Sequence, residues 1–209
     1  MRNHFAVIAA ATILLGPAAA SADAQTVDQS NYVFGNPYSQ TSIWVAQSFR
    51  PTANNSVGAG FVLDAWQGSP VSGTMTVELW TDIPSNGGAS EVASGSTLFS
   101  LAAGQRTMVD VFWSAVAVNP GTQYFLAMNA PGQGNNLVTW ASTGNQYANG
   151  GGWANSSAND RGTYSDFGGF GYDVTFEEFS TTAPEPTSLV LVATGVVLVA
   201  SRRRRTTKR

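Results

Sequence analysis

The only histidine in the chain is His4, cysteine is absent, and no lysine lies between residues 25 and 180. Once the N-terminal segment carrying His4 is removed, as argued below, several chemistries are gone. Ser-His-Asp and Cys-His triads, Ser-Lys dyads, lysine Schiff bases and zinc held by imidazole or thiolate all lack their side chains. Carboxylate chemistry remains, and glycoside hydrolysis or a lyase reaction could use it, with one acid and one base or nucleophile. The candidates are Asp160, Asp166 and the adjacent pair Glu177 and Glu178. Neighbours on a strand point to opposite faces, so Glu177 and Glu178 cannot meet one substrate together. A solvated surface charge is the simpler role for each.

Binding chemistry has a better foothold. Residues 143–170 form 28 positions without a clear strand pattern, holding seven glycines and five aromatic residues. Structureless stretches of that length in compact domains usually carry function or are disordered. Within it, Tyr147, Trp153 and Tyr164 offer ring faces for the apolar side of a pyranose. Asp160, Arg161 and Asp166 offer hydrogen bonds to its hydroxyls. A long hairpin whose rings merely cap the core is the plainer alternative. No catalytic residue and no resident cofactor are expected. Calcium is the one ion with suitable ligands, from Asp160, Asp166 and Asp173, but no EF-hand or repeat-type spacing supports it.

The elements that must hold this stretch follow from composition and period. In 209 residues, 11% are charged, 43% are apolar and 22 are glycine. That profile argues for one domain and against a helical bundle or charge-driven disorder. Ten basic against thirteen acidic residues give −3, but six of the ten basic residues occupy the last eight positions. Between residues 25 and 180, eleven acids face only Arg50, Arg106 and Arg161, a balance of −8 that repels phosphate backbones and excludes nucleic acid as a partner.

Apolar residues recur at period two and not at helical spacing. Met75, Val77 and Leu79 alternate, as do Val109, Val111 and Trp113. So do Tyr124, Leu126 and Met128; Leu137, Thr139 and Ala141; and Tyr172, Val174 and Phe176. Further candidates are 43–49, 59–66 and 98–101. Turn residues at Gly68-Ser69-Pro70, Pro84 to Gly88, Asn119-Pro120-Gly121 and Pro131 to Gly134 separate them. The prediction is an all-β body over 25–180, an antiparallel β-sandwich or jelly roll of eight or nine strands. Residues 25–40 read equally as an edge strand or as a leader draped over the sandwich.

The two ends read as addresses. Arg2, an apolar run over residues 5–15, the break at Gly16-Pro17 and Ala20-Ser21-Ala22 or Ala22-Asp23-Ala24 match a secretory signal peptide over 1–24, cut by signal peptidase after Sec export. At the other end Pro184-Glu185-Pro186 precedes an apolar run over 189–200 and then Arg202, Arg203, Arg204 and Arg205. Twelve helical residues reach about 18 Å against a hydrocarbon core of about 30 Å, so the run makes a short and weak span. The arginines would face the cytoplasm.

This C-terminal order resembles the PEP-CTERM sorting signal, over 181–209. The resemblance implies recognition by an exosortase, a membrane-embedded transpeptidase-like enzyme, transient anchoring in the inner membrane and removal of the tail. It also implies a bacterium that makes extracellular polysaccharide. The body resembles lectin-like jelly-roll domains of bacterial surface proteins, through Gln47-Ser48-Phe49, the run Asn119 to Tyr124 and a final Asp-plus-aromatic strand. That likeness carries no ligand residues with it. The expectation is an exported, non-enzymatic surface or matrix protein that binds polysaccharide, with a carboxylate-dependent glycoside hydrolase or lyase as the alternative and a ligand-free matrix filler as a third reading.

Overall fold

Period-two alternation sorts each strand's side chains between two faces, and two sheets turning their apolar faces together bury one set. The computed structural model describes residues 24–40, 44–66, 68–131, 136–142, 144–155, 164–166 and 172–181. They form twelve strands: β1 (Gln25–Asn31), β2 (Asn36–Gln40), β3 (Val45–Phe49), β4 (Asn55–Ala65), β5 (Val71–Trp80), β6 (Glu91–Leu101), β7 (Arg106–Ala117), β8 (Tyr124–Asn129), β9 (Leu137–Ala141), β10 (Gly152–Asn155), β11 (Tyr164–Asp166) and β12 (Phe176–Thr181).

All pairings between these strands are antiparallel, within two six-stranded sheets. The first sheet runs β1-β12-β4-β9-β2, and β7 lines the other side of β4. One edge of β4 is shared: Gly58 to Phe61 pair with β12, and Leu63 to Ala65 pair with β9. The second sheet runs β11-β10-β3-β8-β5-β6. The chain is an all-β sandwich, as its alternation predicts. Three details differ from expectation. The described residues form twelve strands and not eight or nine, because the short or polar ones display no apolar period. Residues 25–40 supply two strands, one at each end of the first sheet's path. The stretch 143–170 is not strandless, because β10 and β11 lie within it. Residues 1–23 and 182–209, with the expected signal peptide, Pro184-Glu185-Pro186 and the arginine cluster, lie outside the described residues, as do Asp160 and Arg161. Among the described residues no helix is long and apolar enough to cross a membrane.

The alternating residues named above do face inward. Phe61, Leu63, Val109, Val111, Leu137, Val174 and Phe176 of the first sheet's side meet Val45, Phe49, Met75, Val77, Leu79, Leu126 and Met128 of the second. Phe49, Phe61 and Phe176 are fully buried, each contributing on the order of 2–3 kcal/mol relative to exposure. Phe49 packs against Phe176 across the interface at 6.4 Å between centroids.

One flank of the sandwich is closed by the consecutive strands β6 and β7, which belong to different sheets. Gly95 makes the approach possible: a Cβ there would stand 2.7 Å from Val111 Cγ1 and 2.8 Å from the Phe112 carbonyl oxygen. Gly95→Ala is therefore expected to cost about 1–3 kcal/mol by overpacking against backbone that cannot yield. Gly87→Ala, with open space around its Cβ, should stay within about 0.5 kcal/mol of the parent. Paired denaturant titrations check both values, and a neutral Gly95→Ala would contradict the close approach.

Candidate functional site

The loop from β9 to β10 is shaped by a buried carboxylate. Asp173 is fully buried, and its Oδ2 accepts the backbone N–H groups of Gln146 and Tyr147, both at 2.7 Å. Its Oδ1 accepts Gln47 Nε2 at 3.2 Å, while Gln47 Oε1 accepts the Val174 N–H at 2.7 Å. Burial pushes this carboxyl up from its ordinary value, and the three N–H donors pull it back. The Gly152 N–H donates to the Tyr172 carbonyl at 2.9 Å, and Ser48 and Gly151 exchange backbone and hydroxyl hydrogen bonds. The chain leaving this knot enters β10, pairs with β3 and sets Trp153 opposite Ala46. Ala154 faces the core with Val45, so Trp153 projects from the outer face of the second sheet.

There the indole leans on Phe125 of β8, with centroids 5.3 Å apart. Beside it runs a groove of about 340 Å³, lined by Arg50, Gln123, Asn149, Trp153, the backbone of Gly150 and Gly151, and Ser48 and Ala148. The turn at Asn119-Pro120-Gly121 prepares the Arg50 side. Gly121 takes φ +74°, a left-handed conformation that glycine tolerates, and its carbonyl accepts Arg50 Nη1 at 2.8 Å. Gln123 Oε1 accepts Arg50 Nη2 at 3.3 Å. A ring, a guanidinium and two amides thus line one shallow groove, the composition that holds a sugar by stacking and by hydrogen bonds to its hydroxyls.

Of the other expected ligand residues, one is set apart from the groove. Tyr147 is buried: its ring meets Phe176 edge-on at 5.2 Å and its hydroxyl donates to Gln29 at 2.8 Å. It serves the core and not the groove, because the backbone N–H bonds to Asp173 turn the loop inward at that point. Tyr164 pairs with Asn155 at the start of β11 and Asp166 with Trp153 at its end, so both positions fall on the sheet face that carries Trp153. Arg50, Gln123 and Asn149 escaped the sequence reading. Their only signal was the position of Arg50 directly after β3 and of Gln123 directly before β8, two strands that turn out to be neighbours.

A second groove of about 430 Å³ lies at the end of β4, lined by Asp64, Ala65, Trp66, Gly104 and Arg106. Its polar groups satisfy one another. Asp64 Oδ2 accepts both Arg106 Nε and Trp140 Nε1 at 2.9 Å, and the guanidinium carbon lies 3.5 Å over the Trp140 ring. That arrangement ties β4, β7 and β9 together and leaves the cation already neutralised.

Of the expected carboxylates, the adjacent Glu177 and Glu178 point away from each other and do not meet one cleft. Glu178 pairs with Ala59 and faces the interior, whereas Glu177 pairs with Gly60 and faces outward. Both carboxylate oxygens of Glu178 are buried, and burial pushes its carboxyl up to about 8 against the opposing pull of the Ser56 hydroxyl. Glu177 accepts the Tyr32 hydroxyl at 2.5 Å and meets Asp110 across the side-chain-free Gly60. Burial, and then hydrogen bonding with Glu177, push the Asp110 carboxyl up to about 6. The carboxyls of Asp110 and Glu177 are in direct contact, closer than the about 5–5.5 Å that a retaining glycosidase needs. Among the described residues no group of three potential metal ligands occurs. In Asp173, the one described side chain of the expected calcium set, N–H donors occupy both oxygens. No protein-family model matches the chain, and no curated protein is significantly similar to it.

Asp110 and Glu178 set a pH dependence. Each holds its proton in the folded chain at pH values where the unfolded chain has released it. Stability is therefore expected to fall as pH rises from about 4 through 6, from Asp110, and on to about 8, from Glu178. Glu178→Gln should remove the upper part of that fall and raise the melting temperature at pH 8 relative to the parent. Melting curves from pH 4 to 9 check this, and a parent that gains stability over that range would contradict it.

Proposed function

We propose that this is an exported bacterial surface or matrix protein, processed by an exosortase, whose β-sandwich binds extracellular polysaccharide and catalyses nothing. The observation that carries the binding reading is the Trp153 groove, where a ring braced from behind stands beside Arg50, Gln123 and Asn149. A stacking ring beside a guanidinium and amides is a set that holds a sugar by its face and its hydroxyls. The export reading rests on the order of signals at the two ends: Arg2, the apolar run and the Ala-x-Ala sites, then Pro184-Glu185-Pro186, the short apolar run and Arg202 to Arg205. A jelly-roll connection of the lectin-like kind fits this role and is part of the proposal.

Two measurements test it. Intact-mass analysis of the secreted natural protein should show a start at or near residue 23 or 25 and loss of the arginine cluster; a protein that stays in the cytosol with Arg205 attached would defeat the export reading. Affinity electrophoresis should show retardation by at least one acidic or neutral polysaccharide, abolished in Trp153→Ala. Removing a stacking ring typically costs about 1–3 kcal/mol, roughly a 5- to 150-fold loss of affinity. Unchanged retardation in the variant would move the site elsewhere, and no retardation on any polymer would leave the protein a matrix component without a ligand.

A further inference from the structure

We infer that the Trp153 groove selects an acidic sugar, a pyranose bearing a carboxylate, through Arg50. The inference rests on the polysaccharide-binding reading and deepens it. Its starting point is the scarcity of positive charge: from residue 25 to 180 three arginines stand against eleven acids. The two arginines among the described residues are in opposite situations. Arg106 is spent, with Asp64 bound to its Nε at 2.9 Å and the Trp140 ring beneath its guanidinium.

Arg50 meets only neutral acceptors, the Gly121 carbonyl and the Gln123 amide oxygen, and has no carboxylate partner among the described residues. Two acceptors hold the exposed guanidinium in place without neutralising it, so the groove presents a full positive charge whose geometry is fixed before a ligand arrives. Its described neighbours in the groove, Ser48, Gln123, Asn149 and Trp153, are uncharged. On a strongly acidic body this is a local reversal of field, and it draws an anion to one place.

The kind of anion follows from the neighbours. A planar guanidinium matches the two oxygens of a carboxylate, and charge-assisted pairs of this type are about twice as strong as neutral hydrogen bonds. The Trp153 indole supplies a stacking surface in the same groove, and Asn149 supplies an amide for hydroxyls. A simple anion uses the guanidinium and wastes the ring; a neutral sugar uses the ring and leaves the charge without a partner. A uronic acid residue uses both. The groove, about 340 Å³, is at the small end of the range for ligand sites, about 300–1,000 Å³, which suits one short piece of a polymer chain.

Calorimetric titration of the secreted protein with polygalacturonate, with the same polymer after reduction of its carboxyl groups, and with dextran provides the test. The expected result is at least about tenfold tighter binding of the carboxylated polymer at 50 mM salt, a preference that shrinks as salt rises. Arg50→Gln should bring the ratio between carboxylated and reduced polymer to about one, with a melting temperature close to the parent's because the side chain is exposed. Monomeric galacturonate should compete at concentrations where acetate does not. Equal binding of the carboxylated and reduced polymers overturns the inference and leaves the polysaccharide reading standing. Equal competition by acetate overturns it in favour of a plain anion site. Binding of none of the three polymers overturns both.

Discussion

A carboxylate buried in a β-sandwich must be met by donors, and the way Asp173 is met determines where the groove lies. Ionised carboxylates cost several kcal/mol to bury unless hydrogen bonds replace the lost water. Asp173 recruits donors from three places: the side chain of Gln47 in the second sheet and the backbone at Gln146 and Tyr147 in the loop after β9. Gln47 completes the tie by accepting from Val174, just ahead of β12 in the first sheet. One side chain thereby fixes the relation of both sheets to the connecting loop. The loop has no latitude after that point, and Trp153 emerges on the outer face beside Arg50. With Asp173 in that role, one oxygen serves the loop backbone and the other the Gln47 amide.

The fold was legible because its signal is local. Alternation at Met75, Val77 and Leu79, or at Tyr124, Leu126 and Met128, is a property of a few adjacent residues, and those residues line the core. β10 and β11 were not legible for the same reason: four and three residues, within a glycine-rich stretch, are too short to display a period. Their strand character comes from pairing with β3 and with each other. Residues 25–40 carried a pattern too polar to decide between strand and leader, and pairing of β1 with β12 decided it. Trp153 was visible in the sequence as a candidate, but its partners were not. Arg50 and Gln123 stand 73 positions apart, and only the adjacency of β3 and β8 brings them together. Tyr147 shows the converse: chemically suited to a sugar, it is drawn into the core by donors on its own backbone.

The charges follow a consistent division. Acids of the first sheet are held in the structure, either inward like Glu178 or paired across Gly60 like Asp110 and Glu177, and Asp64 neutralises Arg106. These groups lower the number of free charges on that sheet while tying stability to protonation. Arg50, directly after β3 of the second sheet, is the one exposed guanidinium among the described residues there, and it lies at the groove. With no lysine between residues 25 and 180, the positive charge of that stretch rests on three arginines, and on the proposed reading Arg50 is the one that meets the ligand.

The central claim is that Trp153, set in place by the Asp173 tie, is where sugar meets the protein. The chain has six tryptophans, at positions 44, 66, 80, 113, 140 and 153, and each indole N–H gives its own proton–nitrogen resonance. Titrating labelled protein with oligogalacturonate reads all six at once. The account predicts a saturable shift of the Trp153 indole, much larger than those of Trp66 and Trp140 at the second groove. Movement of Trp66 and Trp140 with Trp153 unmoved, or no movement of any indole, would contradict it.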